Sequence, residues 1–125
     1  MNTRKHLNRG ALAMAVALVA SVSADAHHSH AMFDTSREVA ISGTVTAVSF
    51  RNPHVFLYVA VQDEAGQAVP WAVEMSNIEN MERRNIFAST FKVGDRVTVR
   101  LNPLKDGRTG GNYTSATAAD GKTYD

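Results

Sequence analysis

The stretch His54–Gln62 (HVFLYVAVQ) constrains the fold more than any other, because as a strand it presents two largely apolar faces. Val55, Leu57, Val59 and Val61 share one side, and His54, Phe56, Tyr58 and Ala60 share the other. β-Branched and aromatic residues at this density suit a pleated surface. One face is expected to cover a core, and the other to line a partly covered cleft. Asn52-Pro53 stands just before it, where a proline that cannot donate to a ladder marks the start of a strand.

The flanking segments supply partners. Val39–Phe50 (VAISGTVTAVSF) alternates with Val39, Ile41, Gly43, Val45 and Ala47 on one face, then flips, since Val48 and Phe50 fall on the formerly polar side. A long strand with an internal glycine and a face change predicts the bend or bulge that a small barrel needs. Asp63–Gln67 reads as a turn, and Val69–Met75 as a third strand carrying Trp71 and Glu74. Ser76 opens a helix, with Ser76 and Glu79 at capping-box spacing and Ile78, Met81, Asn85 and Ile86 on the inner side. After the turn Lys92–Asp95, Arg96–Leu101 alternates as a fourth strand that Pro103 stops. The glycine-rich Asp106–Asn112 leads to a fifth, Tyr113–Ala118, with Lys122–Tyr124 pairing back. Three strands, a helix and two strands define an all-β domain with one short helix, a five-stranded OB-like barrel (β-β-β-α-β-β) over residues 39–125.

Residues 1–26 read as a secretory signal: basic Arg4, Lys5 and Arg9, the apolar run Ala11–Ala20, then small residues with cleavage after Ala24 or Ala26. Taking Arg4, Lys5, Arg9 and Asp25 out of the 13 basic and 12 acidic residues turns a net charge of +1 into −1. The basic balance therefore belongs to the export signal, which argues against a nucleic-acid partner. With no cysteine, the exported chain is held by its core, and thiol redox chemistry and cysteine-bound zinc are excluded. The signal is the sole hydrophobic run near membrane length, so a periplasmic product with no stable membrane insertion is expected.

Residues 27–38 form a histidine-rich arm. His27, His28 and His30 crowd its start, and a histidine tract beside a newly exposed α-amine is a copper-binding composition. Cleavage after Ala26 would let the amine and ring of His27 chelate one ion, with a second imidazole completing a brace. Cleavage after Ala24 would set an amine, two amide nitrogens and the His27 imidazole in a square plane. Tetragonal nitrogen ligation suits Cu(II) or Ni(II), and copper is the better candidate of the two because it stands highest in the divalent affinity order. His54 is the one histidine of the barrel and the candidate fourth ligand. Glu74 could orient it from behind, and Phe56, Tyr58 and Trp71 could wall the site. Met32 and Met75 are candidate soft ligands, although methionine more often fills a core. No nucleophile–base–orienter set occurs, so no enzyme is expected.

Together Ala26-His27-His28-Ser29, Gly43-Thr44-Val45, Asn52-Pro53-His54-Val55, Trp71-Ala72-Val73-Glu74, Lys92–Val97, Asn102-Pro103-Leu104, Asp106-Gly107 and Asp120-Gly121-Lys122 resemble the small exported bacterial proteins of the DUF6152 type. That resemblance implies a periplasmic OB-like barrel and supplies no reaction. More loosely, the amino-terminal histidine is similar to that of periplasmic copper carriers of the CopC type. The reading of the whole is a periplasmic module that carries or buffers copper through His27, His28, His30 and His54. The alternative is an envelope protein that docks a peptide or protein partner on its aromatic face, with a mononuclear copper oxidase ranked last.

Overall fold

In the computed structural model, residues 30–125 are described. Residues 1–26, read from the sequence as a secretory signal, and His27 and His28 lie outside the described residues. Between residues 32 and 125, six strands and one helix follow in order: β1 (Val39–Ser49), β2 (Phe56–Gln62), β3 (Ala68–Glu74), α1 (Ile78–Arg83), β4 (Arg96–Pro103), β5 (Gly110–Ala118) and β6 (Thr123–Tyr124). Hydrogen-bonded neighbours run β3-β2-β1-β4-β5-β6, and an additional parallel β3–β5 pairing closes the first five strands into a barrel. Closure removes the exposed edges that a five-stranded sheet would otherwise present. The expected architecture is therefore the observed one, with β6 as an added strand.

β1 makes the closure possible by changing partner along its length. Val39–Thr44 pair with β4, and Thr44–Ser49 pair with β2. The face change read from the sequence is a bulge between Val45 and Ala47. Both Thr46 and Ala47 face solvent there, so Ala47 leaves the inner row that strict alternation would give it. At Gly43 a Cβ would lie 2.1 Å from the Ala60 carbonyl oxygen, and at Gly111 one would lie 2.3 Å from that of Asn102. Both glycines mark places where neighbouring backbones approach too closely for any side chain.

The inner residues of the strands form the core. Leu57, Val59, Val73, Val99 and Leu101 are fully enclosed, and Met81 and Ile86 join them from the helical segment. Each such aliphatic side chain contributes about 1.5–3 kcal/mol of burial. The helix begins one residue later than the capping-box spacing predicts. Asn77 is its N-cap, with an extended backbone and a side chain that accepts the Asn80 N–H at 2.8 Å. Ser76 instead accepts from the Asn80 side-chain amide, and Glu79 pairs with Arg83. Asn85 departs from its expected inner position: it is exposed and takes a positive φ of 61° just after the helix.

The arm is shorter than the sequence suggests. Phe33 is buried and bridges to Leu104, while the Met32 carbonyl accepts from Lys105 N–H at 2.9 Å. The Asn102 amide donates to the Arg37 carbonyl, and Glu38 pairs with Arg100. Met32–Asp125 is one compact unit, so residues 32–38 belong to the barrel rather than to a separate arm. Among the described residues no helix is long and apolar enough to cross a membrane.

Candidate functional site

His54 stands between the Arg51–Pro53 turn and β2. Asn52 fixes this turn against the helix, its Oδ1 accepting the Ile78 N–H at 2.9 Å. The β2–β3 ladder then runs on past the strands themselves. Val55 N–H donates to the Ser76 carbonyl, and Met75 N–H donates to the Val55 carbonyl. This extension carries the imidazole over the end of β3, where two acceptors converge on one ring nitrogen. His54 Nδ1 lies 3.1 Å from the Met75 carbonyl oxygen and 3.4 Å from Glu74 Oε1.

A carbonyl oxygen can only accept, so the hydrogen on this bond belongs to Nδ1. The neutral ring is thereby held in the tautomer whose Nε2 carries the lone pair. The His54 side chain is 39% exposed and that of Glu74 is 16% exposed, so the carboxylate is recessed behind an accessible imidazole. This is how protein scaffolds commonly orient a metal-ligating histidine. Glu74 is itself fixed by both neighbouring strands, facing Phe56 on β2 and Asn112 on β5, whose side-chain amide donates to the Glu74 carbonyl at 3.3 Å.

Phe56 and Tyr58 occupy the same outer face. They are half-buried and stacked, with ring centroids 6.0 Å apart and planes 18° from parallel. Trp71 is not with them. It pairs with Val59 on the inner side of β3, and lines an apolar cavity of about 270 Å³ with Val61, Val69 and Thr109. The odd–even alternation of β3 puts Trp71 and Glu74 on opposite faces, so the tryptophan cannot wall a site at His54. Met75 is buried in the core and meets His54 through its carbonyl, not its thioether. Met32 is exposed at its anchored position. His30 is exposed and precedes the barrel unit.

Among the described residues no group of three or more His, Asp or Glu side chains could hold a metal ion. The barrel offers one oriented imidazole with a carboxylate behind it, and that set alone does not fit a metal. Asn52, Asn112 and the Met75 carbonyl are the supports that sequence reasoning missed. Asn52 stood next to a flagged proline, but Asn112 and Met75 gain their roles only through strand register.

A five-stranded closed barrel with its helix between the third and fourth strands defines the chain as an OB-type protein. The family model for the family of unknown function DUF6152 matches residues 15–114, and the chain belongs to that family. Among curated proteins, none matches the chain. Among solved structures, the fold is similar to that of the mitochondrial single-stranded DNA binding protein Rim1 of S. cerevisiae, with a TM-score of 0.50 and 14% identity over 66% of this chain and 94% of that one. This likeness is one of fold, yet it corrects the exclusion of nucleic acid drawn from charge. The same barrel serves a DNA-binding protein elsewhere, and a net charge near zero does not rule that partner class out.

Proposed function

We propose that this chain is a periplasmic metal-binding module that carries or buffers copper. The observation behind the reading is the fixed tautomer of His54, whose Nδ1 donates to the Met75 carbonyl beside the Glu74 carboxylate and leaves the lone pair on Nε2 of a 39% exposed side chain. The remaining ligands are assigned to His27, His28 or His30 and the α-amine. Nitrogen-rich ligation of this kind favours Cu(II) among divalent ions. Glu74 acts as a positioning residue that keeps the ring oriented.

The arm's attachment supports the reading. Met32 is tied to Lys105, next to Leu104, whose N–H donates to the Gly110 carbonyl. Gly110 pairs with Ala72, two residues from Glu74 on β3. The anchor and the His54–Glu74 pair thus lie along one seam of the barrel.

The test is a copper titration of the exported protein, its first residue fixed by mass spectrometry, against a version with one extra methionine ahead of His27. Tight Cu(II) binding by the processed form, weakened at least tenfold by the added methionine and by His54→Ala, is the expected result. Glu74→Gln is expected to weaken binding by about 10- to 100-fold. Equal, weak binding by all forms would overturn the reading. It would leave the stacked Phe56–Tyr58 face, as a platform for an extended peptide of an envelope protein, as the better account.

A further inference from the structure

On the side of the barrel formed by β1, β4, β5 and β6, four hydroxyl residues fall into one row across the sheet. Ser42 is opposite Thr98, Thr98 opposite Thr117, and Thr117 opposite Thr123. With strands about 4.8 Å apart, the row extends about 14 Å. The Ser42 and Thr98 hydroxyls are 2.8 Å apart, and those of Thr117 and Thr123 are 3.2 Å apart. Each bonded pair uses one of its two hydrogens internally and so has one O–H left to donate outward.

Arg96 borders this row. It faces Thr44 across the β1–β4 ladder. It also lines three adjoining depressions, of about 300, 350 and 260 Å³. The first is floored by Ser42, Thr98 and Thr117 with the short side chains of Ala118 and Ala119, and the second adds Gln62 and Thr44. Three exposed arginines are matched with carboxylates, Arg83 with Glu79, Arg100 with Glu38 and Arg108 with Asp106, whereas the exposed Arg37, Arg51 and Arg96 form no such pair among the described residues. Asp95 and Asp120, which line the third depression with Arg96, each accept one backbone N–H, from Lys92 and Lys122, and keep their charge, so an anion is placed in the first two depressions.

We infer that this face binds an oxyanion, a carboxylate or phosphate group carried by a polyhydroxy ligand, with Arg96 as the charged anchor and the Ser42–Thr98–Thr117 row as neutral donors. A guanidinium presents a planar fork that matches both groups, and the short alanines beside it give a bulky carrier room to lie flat. The site is on the opposite side of β1 from His54, and it neither uses a metal nor depends on the copper reading.

Amide chemical shifts of the metal-free protein, followed at constant ionic strength while sodium glucuronate or inorganic phosphate is added, test this. Saturable shifts at Ser42, Thr98 and Thr117 are expected with at least one probe, and the stronger probe identifies the carrier as carboxylated or phosphorylated. Arg96→Gln is expected to weaken the response at least tenfold, and Thr98→Val severalfold, with the rest of the amide spectrum in place. No saturable shift with either probe, shifts that track ionic strength alone, or an undiminished response in Arg96→Gln would overturn the inference.

Discussion

The two outer faces of the barrel share one strand and little chemistry. Past the bulge, the β1–β2–β3 side is apolar and aromatic, with Phe56 and Tyr58 beside a recessed carboxylate and an oriented imidazole. Before it, the β1–β4–β5–β6 side is a row of hydroxyls bordered by Arg96 and Arg100. A barrel this small has few solvent-facing positions, and a strand that changes partner halfway lets it display two surfaces without a second domain. The joint is Gly43–Val45, where β1 passes from β4 to β2.

Breaking that joint has the largest expected effect. Gly43→Val would drive a branched side chain into the Ala60 carbonyl and the Val59 side chain, both of which a Cβ alone already meets inside 3 Å. Overpacking at a backbone contact cannot be relieved by a rotamer change, so a loss of at least about 3 kcal/mol is expected, read by urea unfolding. Both faces should lose their amide dispersion together. A variant that unfolds within 1 kcal/mol of the parent (on the order of ordinary point substitutions) would show that the two halves of β1 are separable, and the shared-strand account would fall.

A smaller change separates the faces. Tyr58 stacks on Phe56 and lies opposite Ala47 and Ala72, so its ring supplies much of the lateral packing of that side. Tyr58→Ala is expected to cost about 1–2 kcal/mol through lost aromatic contact and half-buried area. The amides of Ser42, Thr98 and Thr117 should stay in place. Shifts spreading to that row would mean the bulge does not insulate one face from the other.

Much of the architecture was legible because it depends on local period. Alternation in His54–Gln62 and Arg96–Leu101, and the phase flip near Val48, are properties of one strand at a time, and they gave the barrel order and the bulge. The sites depend on what lies across a ladder. Placing Trp71 with Phe56 and Tyr58 failed because neighbouring strands must be in register before their residues can be assigned to one face, and the pairing of Val59 with Trp71 turns that ring inward. The hydroxyl row was invisible for the same reason: Ser42, Thr98, Thr117 and Thr123 are scattered in sequence and meet only through three separate pairings. The arm misled in another way. Residues 27–38 were read together by their histidines and polar residues, and only the burial of Phe33 and its bridge to Leu104 show that residues 32–38 are part of the barrel.

The hydroxyl face ends in the two-residue β6, and its attachment to the interior gives the smallest predicted effect. Tyr113 is buried opposite Leu101, and its hydroxyl donates to the Tyr124 carbonyl at 2.6 Å. Arg84, 5.3 Å from the Tyr113 ring centroid, donates to the Thr114 and Asp125 carbonyls and so ties the same strand to the helix end. Tyr113→Phe removes one bond from this set and is expected to cost about 1 kcal/mol at neutral pH. Burial drives the Tyr113 phenol well above its ordinary value of 10.0, with the Arg84 guanidinium opposing it. Below pH 10 folded and unfolded chains both keep this proton, so it adds no pH dependence. Above pH 10 the unfolded chain releases it while the folded one holds it, and stability falls as pH rises. Urea unfolding at intervals from pH 8 to 11 should therefore show the parent losing stability on the alkaline side faster than the phenylalanine variant, the gap between them narrowing. Parallel alkaline slopes would mean that Tyr113 already ionises in the folded state, and that β6 opens readily enough to let water reach it.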